Sequence, residues 1–230
     1  MIERNYFKFD QNELQWYGGT PHFSYDTTRF KSEEDAGKNG GLNVHYDYTG
    51  YEAVKSAVMS GTANGFVFTT PKGNGLAKGN WLFSVEGTCG FIDDKCSISL
   101  KLYPKLIVGN ESENHEQLIE SVDIKRIIDE VKTELGYDLA EAVEIATNNS
   151  VRSDFNNELV AAMRKNSQQH FMISLLDMSL SYSRSEVYPV TSDISRKVFD
   201  EILPKFFEEA SLHMDAMMLF KEKLLIHCDH

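Results

Sequence analysis

The hydrophobic positions of this chain change their period partway along. Up to Asn110 the apolar side chains fall in short aromatic and β-branched runs: YFKF, LQWYG, LNVHYDY, GFVFTT, WLFSVEG and CSISLKLYPKLIV. Several of these alternate residue by residue, as strands do when one face is buried. In KCSISLKLY, Cys96, Ile98, Leu100 and Leu102 fall on one side, while Ser97, Ser99, Lys101 and Tyr103 fall on the other. That pattern predicts a strand in a sheet with one wet face. YEAVKSAVMSG breaks the alternation: Ala53, Val54, Ala57 and Val58 recur at helical spacing, and Gly61 is placed to close the helix in a left-handed conformation.

Beyond Gly109 the spacing lengthens to three to five residues. Leu118, Val122, Ile127, Ile128, Val131 and Leu135 make an apolar stripe, with Asn114 to cap it, Gln117 in its first turn and Gly136 after its end. Asp138 is read as the cap of a short helix reaching Ala146. Ser153 begins a longer helix whose apolar side runs through Phe155, Leu159, Ala162, Met163, Phe171, Leu175 and Met178. VYPVTSD, with Pro189, reads as a turn. The last stripe extends from Ser192 to Ile226 through Ile194, Val198, Phe199, Ile202, Phe206, Phe207, Ala210, Met214, Met217 and Met218, and Pro204 should kink or divide it. The expectation is an α+β protein. A β-rich part over residues 1–110, an antiparallel or mixed sheet with one helix, precedes an acidic α-helical bundle over residues 111–230, packed separately or as one unit.

Charge sharpens that division. Of a net −12, residues 1–110 contribute little, with 11 Lys and Arg against 12 Asp and Glu, whereas residues 111–230 carry 12 against 23. An acidic half repels phosphates and anionic lipid surfaces, so direct nucleic-acid or membrane binding is not expected there. Hydrophobic residues make up 41% of the chain, yet no apolar run approaches the ~18 residues of a membrane span. MIERNYFKFD is charged where a signal peptide is apolar. Three cysteines suit a reducing compartment better than a disulfide framework; Cys89 and Cys96 can meet across a hairpin, but they are read as buried free thiols. A cytoplasmic location is expected.

Four stretches carry candidate chemistry. PKGNGLAKGNW, Pro71 to Trp81, is glycine-rich like a phosphate-binding loop, but such a loop must leave a strand and enter a helix. Here a strand pattern stands on both sides, so the stretch reads as a hairpin turn. Near the N-terminus, QWYGGTPHFSYDTTRF followed by HYDYTGYEAVKSA resembles one group of phage and bacterial ADP-ribosyltransferases. Tyr17, Gly19, Thr20 and Pro21 match its first motif, and Tyr48, Thr49 and Ala53 match its second. The resemblance implies an NAD-using enzyme, with Glu86 in SVEGT nearest to the family's catalytic glutamate. Gly18 stands where the family places the histidine that contacts the NAD ribose. In the helical half, Arg164 and His170 of RKNSQQH resemble the Arg-x4–6-His pair of helical HEPN ribonucleases, whose Arg stabilises phosphate charge while His moves protons. The ending HCDH holds potential metal ligands, too closely consecutive to surround one ion.

The remaining signal is LHMDAMMLF. Leu212, Met214, Met217, Met218 and Phe220 give the last helix more apolar surface than one stripe requires. Methionine adapts to irregular partners, so this helix is read either as a subunit interface or as a core helix enclosed by its neighbours. The leading functional expectation is a non-enzymatic interaction protein, an assembly subunit or regulator. Its partner would be another protein or a second copy of itself, and it needs no cofactor and no metal. An ADP-ribosyltransferase-like enzyme and a HEPN-like ribonuclease are the alternatives.

Overall fold

The computed structural model describes residues 7–71, 75–78, 81–106, 124–141 and 182–226. Its strands are β1 (Gln15–Gly18), β2 (His22–Tyr25), β3 (Leu42–His45), β4 (Tyr48–Thr49), β5 (Gly65–Thr69), β6 (Leu76–Lys78), β7 (Trp81–Ile92), β8 (Lys95–Leu106) and β9 (Tyr182–Pro189). Seven of them form one antiparallel sheet in the order β4-β1-β5-β7-β8-β9, with β6 pairing to β7. β2 and β3 make a separate two-stranded ladder.

The alternation in KCSISLKLY is realised in β8, where Cys96, Ile98, Leu100 and Leu102 are each fully buried. Phe83, Val85 and Cys89 of β7, Phe66 and Phe68 of β5 and Trp16 of β1 share that inner face. β7 turns into β8 through Asp93 and Asp94, with φ of 50° and 58°. Two left-handed central residues define the type I′ turn that matches the twist of a two-residue hairpin, and Asp tolerates that region. Gly87 is required by close approach: a Cβ there would sit 1.8 Å from Cζ of Phe68. The ring lies across the glycine and fills the space a side chain would occupy. Within the glycine-rich stretch the described residues Leu76–Lys78 form a strand paired antiparallel to β7, Lys78 opposite Trp81, and no helix follows it.

α1 (Glu33–Lys38) packs on the β2–β3 ladder, whereas α2 (Tyr51–Met59), α3 (Ile124–Leu135) and the C-terminal helices cover the inner face. α1 links β2 to β3, with Ser32 as its N-cap accepting the Asp35 N–H at 3.1 Å. α2 buries Val54, Ala57 and Val58 as its spacing predicts, and Gly61 follows at φ 74°. α3 buries Ile127 and Val131 and ends before Gly136 at φ 69°. α4 (Ile194–Lys197) runs into a π-turn (Val198–Ile202) and then α5 (Leu203–Ile226). The π-turn explains how the chain accommodates Pro204. Leu203 N–H reaches back five residues to the Val198 carbonyl, and the widened turn relieves the crowding that proline imposes on the preceding turn. Among the described residues no helix is long and apolar enough to cross a membrane.

The expected C-terminal helical bundle is not what forms. Among the described residues one long helix, α5, lies on the sheet beside α3, and Tyr182–Pro189 returns to the sheet as β9, paired with β8 from Lys95 to Leu102. β9 escaped notice because its inward positions are Tyr182, Arg184, Glu186 and Tyr188. A strand whose buried side is held by charged and phenolic groups lacks the apolar alternation that marks strands in sequence. The two parts also share one hydrophobic cluster, in which Trp16, Phe68 and Leu100 pack with Phe199, Phe206 and Met214. The helix expected from Ser153, and the first half of the one expected from Asn114, lie outside the described residues.

Candidate functional site

Trp16 organises the centre of the molecule. Its ring lies 4.6 Å from that of Phe68, 5.0 Å from Tyr51, 5.7 Å from Phe66 and 6.5 Å from Phe207. Its indole N–H donates to the Gln11 carbonyl at 2.8 Å. That bond, with the Asp10 carboxylate capping the short turn Gln11–Glu13, fixes the incoming segment Phe7–Asp10 against α5. Phe9 stacks on Phe207 at 5.3 Å, and Phe7 meets Phe9 at 5.0 Å.

Between this segment, Tyr51 of α2 and the start of α5 lies a cavity of about 580 Å³. Phe7, Phe9, Phe199, Leu203, Phe207 and Leu212 give it apolar walls. Its charged groups are Lys8, Glu208 and Asp215, and Gln11 and Ser211 supply neutral polar atoms. Asp215 is only 6% exposed, so its carboxylate belongs to the interior of the wall rather than to the solvated rim. A volume in this range with few polar groups among apolar walls has the proportions of a small-ligand or side-chain pocket. Burial raises the Tyr51 hydroxyl above its ordinary range, so it stays protonated as a donor. Lys55 ties α2 to the π-turn, 3.5 Å from Asp200 and 5.9 Å from the rings of both Tyr51 and Phe199.

The opposite side of α5 carries a polar network. Tyr137 Oη pairs with Nδ1 of the buried His213 at 2.8 Å, and the Tyr182 ring lies 5.5 Å from the same imidazole. Tyr182 donates to Glu209 at 3.3 Å. Arg184 bridges Glu209 and Glu186, Tyr188 donates to Glu186, and the guanidinium sits 4.6 Å over the Phe206 ring. Burial pushes Tyr182 and Tyr188 up to about 12. The Tyr188 hydroxyl and Arg184 hold Glu186 below the usual carboxylate range. The network attaches β9 and α5 to each other.

The residues of the transferase resemblance are partly brought together. β1 pairs β4, Tyr17 opposite Thr49 and Gly18 opposite Tyr48, with α2 following directly. Tyr48 nevertheless faces the core with Gly18, whereas Tyr17 and Glu86 lie on the outer sheet face. A Cβ at Gly18 would already lie 3.2 Å from Val54 Cγ1, so an imidazole there would run into α2. Thr20 is exposed, and its N–H donates to Asp47 at 3.2 Å. Asp47 also holds His22 at 2.9 Å, and Ser24 pairs with His45 at 2.8 Å on the β2–β3 ladder. These groups are exposed, with His22 63% open to solvent.

Of the apolar residues singled out on the last helix, Met214, Met217 and Phe220 are buried within the chain itself, and Leu212 and Met218 are half-buried. That part of α5 is therefore largely covered by the chain's own sheet and helices, and Leu212 takes part in the cavity wall. Arg164, His170 and the HCDH ending lie outside the described residues. Among the described residues no group of three His, Cys, Asp or Glu side chains is set to hold a metal ion. The cavity itself had no local signal in the sequence, since its walls come from three segments far apart along the chain. Compared with known proteins, the chain matches no family model, no curated protein and no solved structure.

Proposed function

We propose that this chain is a non-enzymatic interaction protein of the cytoplasm that binds another protein through the α5 cavity, receiving an apolar or aromatic side chain flanked by a cation. The carrying observation is the cavity itself: about 580 Å³ with apolar walls, in which two carboxylates, Glu208 and Asp215, oppose one cation, Lys8. An aromatic anchor gains most by filling such a space, and a neighbouring Lys or Arg gains from the acidic wall. The net −12 of the chain favours approach of a basic partner in the same sense.

The test is selection of displayed random peptides on the full-length chain and on a variant carrying Leu212→Trp, which grows an indole from the wall into the space. Peptides with an aromatic residue beside Lys or Arg should be enriched on the parent chain and should lose at least tenfold in affinity on the variant, a loss of about 1.4 kcal/mol. Circular dichroism of the variant confirms that it is folded. Enrichment of acidic peptides, or binding indifferent to the filled cavity, would refute the reading.

A further inference from the structure

Cys89 and Cys96 are buried, 4% and 0% exposed, on the inner face of the β7–β8 hairpin. They stand diagonally across the ladder, Cys89 opposite Ile98 and Cys96 opposite Phe91, with their sulfurs 3.9 Å apart. The type I′ turn at Asp93–Asp94 sets this hairpin's register, so the two thiols are held together by the backbone. A disulfide needs a sulfur–sulfur separation near 2.0 Å. Closing the 3.9 Å gap to that length takes rotation about the two Cα–Cβ bonds together with a local shift of the two strands, because diagonal neighbours on a ladder stand farther apart than directly opposed ones.

We propose that Cys89 and Cys96 are an oxidative modification site that closes a cross-strand disulfide when the protein meets a peroxide. The Cys96 thiolate is favoured by the hydrogen bond it receives from Cys89, which makes it the attacking sulfur. It takes one peroxide oxygen as the O–O bond breaks, giving a sulfenic acid and hydroxide. The Cys89 sulfur then attacks the Cys96 sulfur, forming the S–S bond and breaking S–O. The departing hydroxides carry off the two thiol protons, so two thiols and one hydrogen peroxide yield one disulfide and two waters. Access comes through β9, the last strand of the sheet among the described residues, whose Tyr188 pairs with Cys96. The opening works against the ties β9 makes to α5, so oxidation is slow and proceeds from the folded protein through local opening of the sheet edge.

The experiment treats the folded chain carrying Cys228→Ser with hydrogen peroxide, blocks remaining thiols with N-ethylmaleimide, and maps the tryptic peptides. Cleavage after Lys78, Lys95 and Lys101 places the two cysteines in separate peptides, 79–95 and 96–101. The expected product is this pair joined, lighter by two hydrogens and separated again by dithiothreitol. The oxidised chain should also unfold at a higher urea concentration than the reduced one, because the bond shortens the loop available to the unfolded chain. Recovery of both peptides unlinked, whether alkylated or oxidised singly to sulfinic acid, would overturn the proposal. So would linkage that appears only after unfolding in urea, or an oxidised form that unfolds earlier. The parent hairpin is read directly, so the result does not depend on a cysteine variant folding.

Discussion

Gly87 and Tyr182 show how single residues hold this structure for opposite reasons. Gly87 is needed for what it lacks, since Phe68 occupies the place of its side chain. Gly87→Ala should therefore cost roughly 1–3 kcal/mol through overpacking, seen as a lower urea midpoint with an unchanged slope. A neutral effect would mean that the ring moves aside freely. Tyr182 is needed for its neutral phenol. Its folded-state value, about 12, lies above the ordinary 10.0, so the folded state disfavours the phenolate more than the unfolded chain does. The stability this confers is complete below 10.0 and is lost as pH rises from there towards about 12. Urea midpoints should fall across that window, and Tyr182→Phe should flatten the fall only in part, because Tyr188 shares the window. Equal slopes for parent and variant would refute the assignment. In the sequence, GlyGly at 18–19 drew attention for what an enzyme would place there. The packing of Gly18 on Val54 is a tertiary fact that no local pattern carries.

At the scale of elements, α5 joins the two faces of the molecule. Phe206 is fully buried on the sheet and lies under Arg184, while Phe207, one residue on, stacks with Phe9 at the cavity. Phe206→Ala should cost about 3–5 kcal/mol, lowering the melting temperature by roughly 6–20 degrees if the fold survives. A loss below about 1 kcal/mol would mean that β9 and α5 are not held together through this ring. The helix itself was legible, because its apolar residues recur over more than two dozen positions and the π-turn appears where Pro204 demanded a break. β9 was not legible. Its alternation is one of size and polarity, Ser183 and Ser185 against Tyr182, Arg184 and Glu186, and its inward polar groups find partners in Glu209 of a distant helix and in one another.

For the whole molecule, charge and core act on different events. The net −12 biases encounter, while the aromatic cluster around Trp16 decides what is held after contact. Affinity for peptides selected on the cavity should fall as salt rises, since at 0.1 M charges more than about 10 Å apart are already screened. A flat response would assign binding to the apolar walls alone. Sequence by itself determined β1, β3, β5, β7 and β8, α2, the closing turn of α3 and the long run of α5, because burial on one side imposes a period on local sequence. β2, β6 and α1, a second helix where one was expected, carried no such period, and the YFKF run forms no strand over its described residues. It also established that α5 is apolar on most sides. Only the tertiary structure decided what covers it: the sheet, β9 and α3, within one core shared by both parts of the chain. Periodicity reports how many sides of an element avoid water. It carries no record of which distant segment supplies the cover, and so it could neither place β9 in the sheet nor assemble the cavity from Phe7, Tyr51 and Leu212.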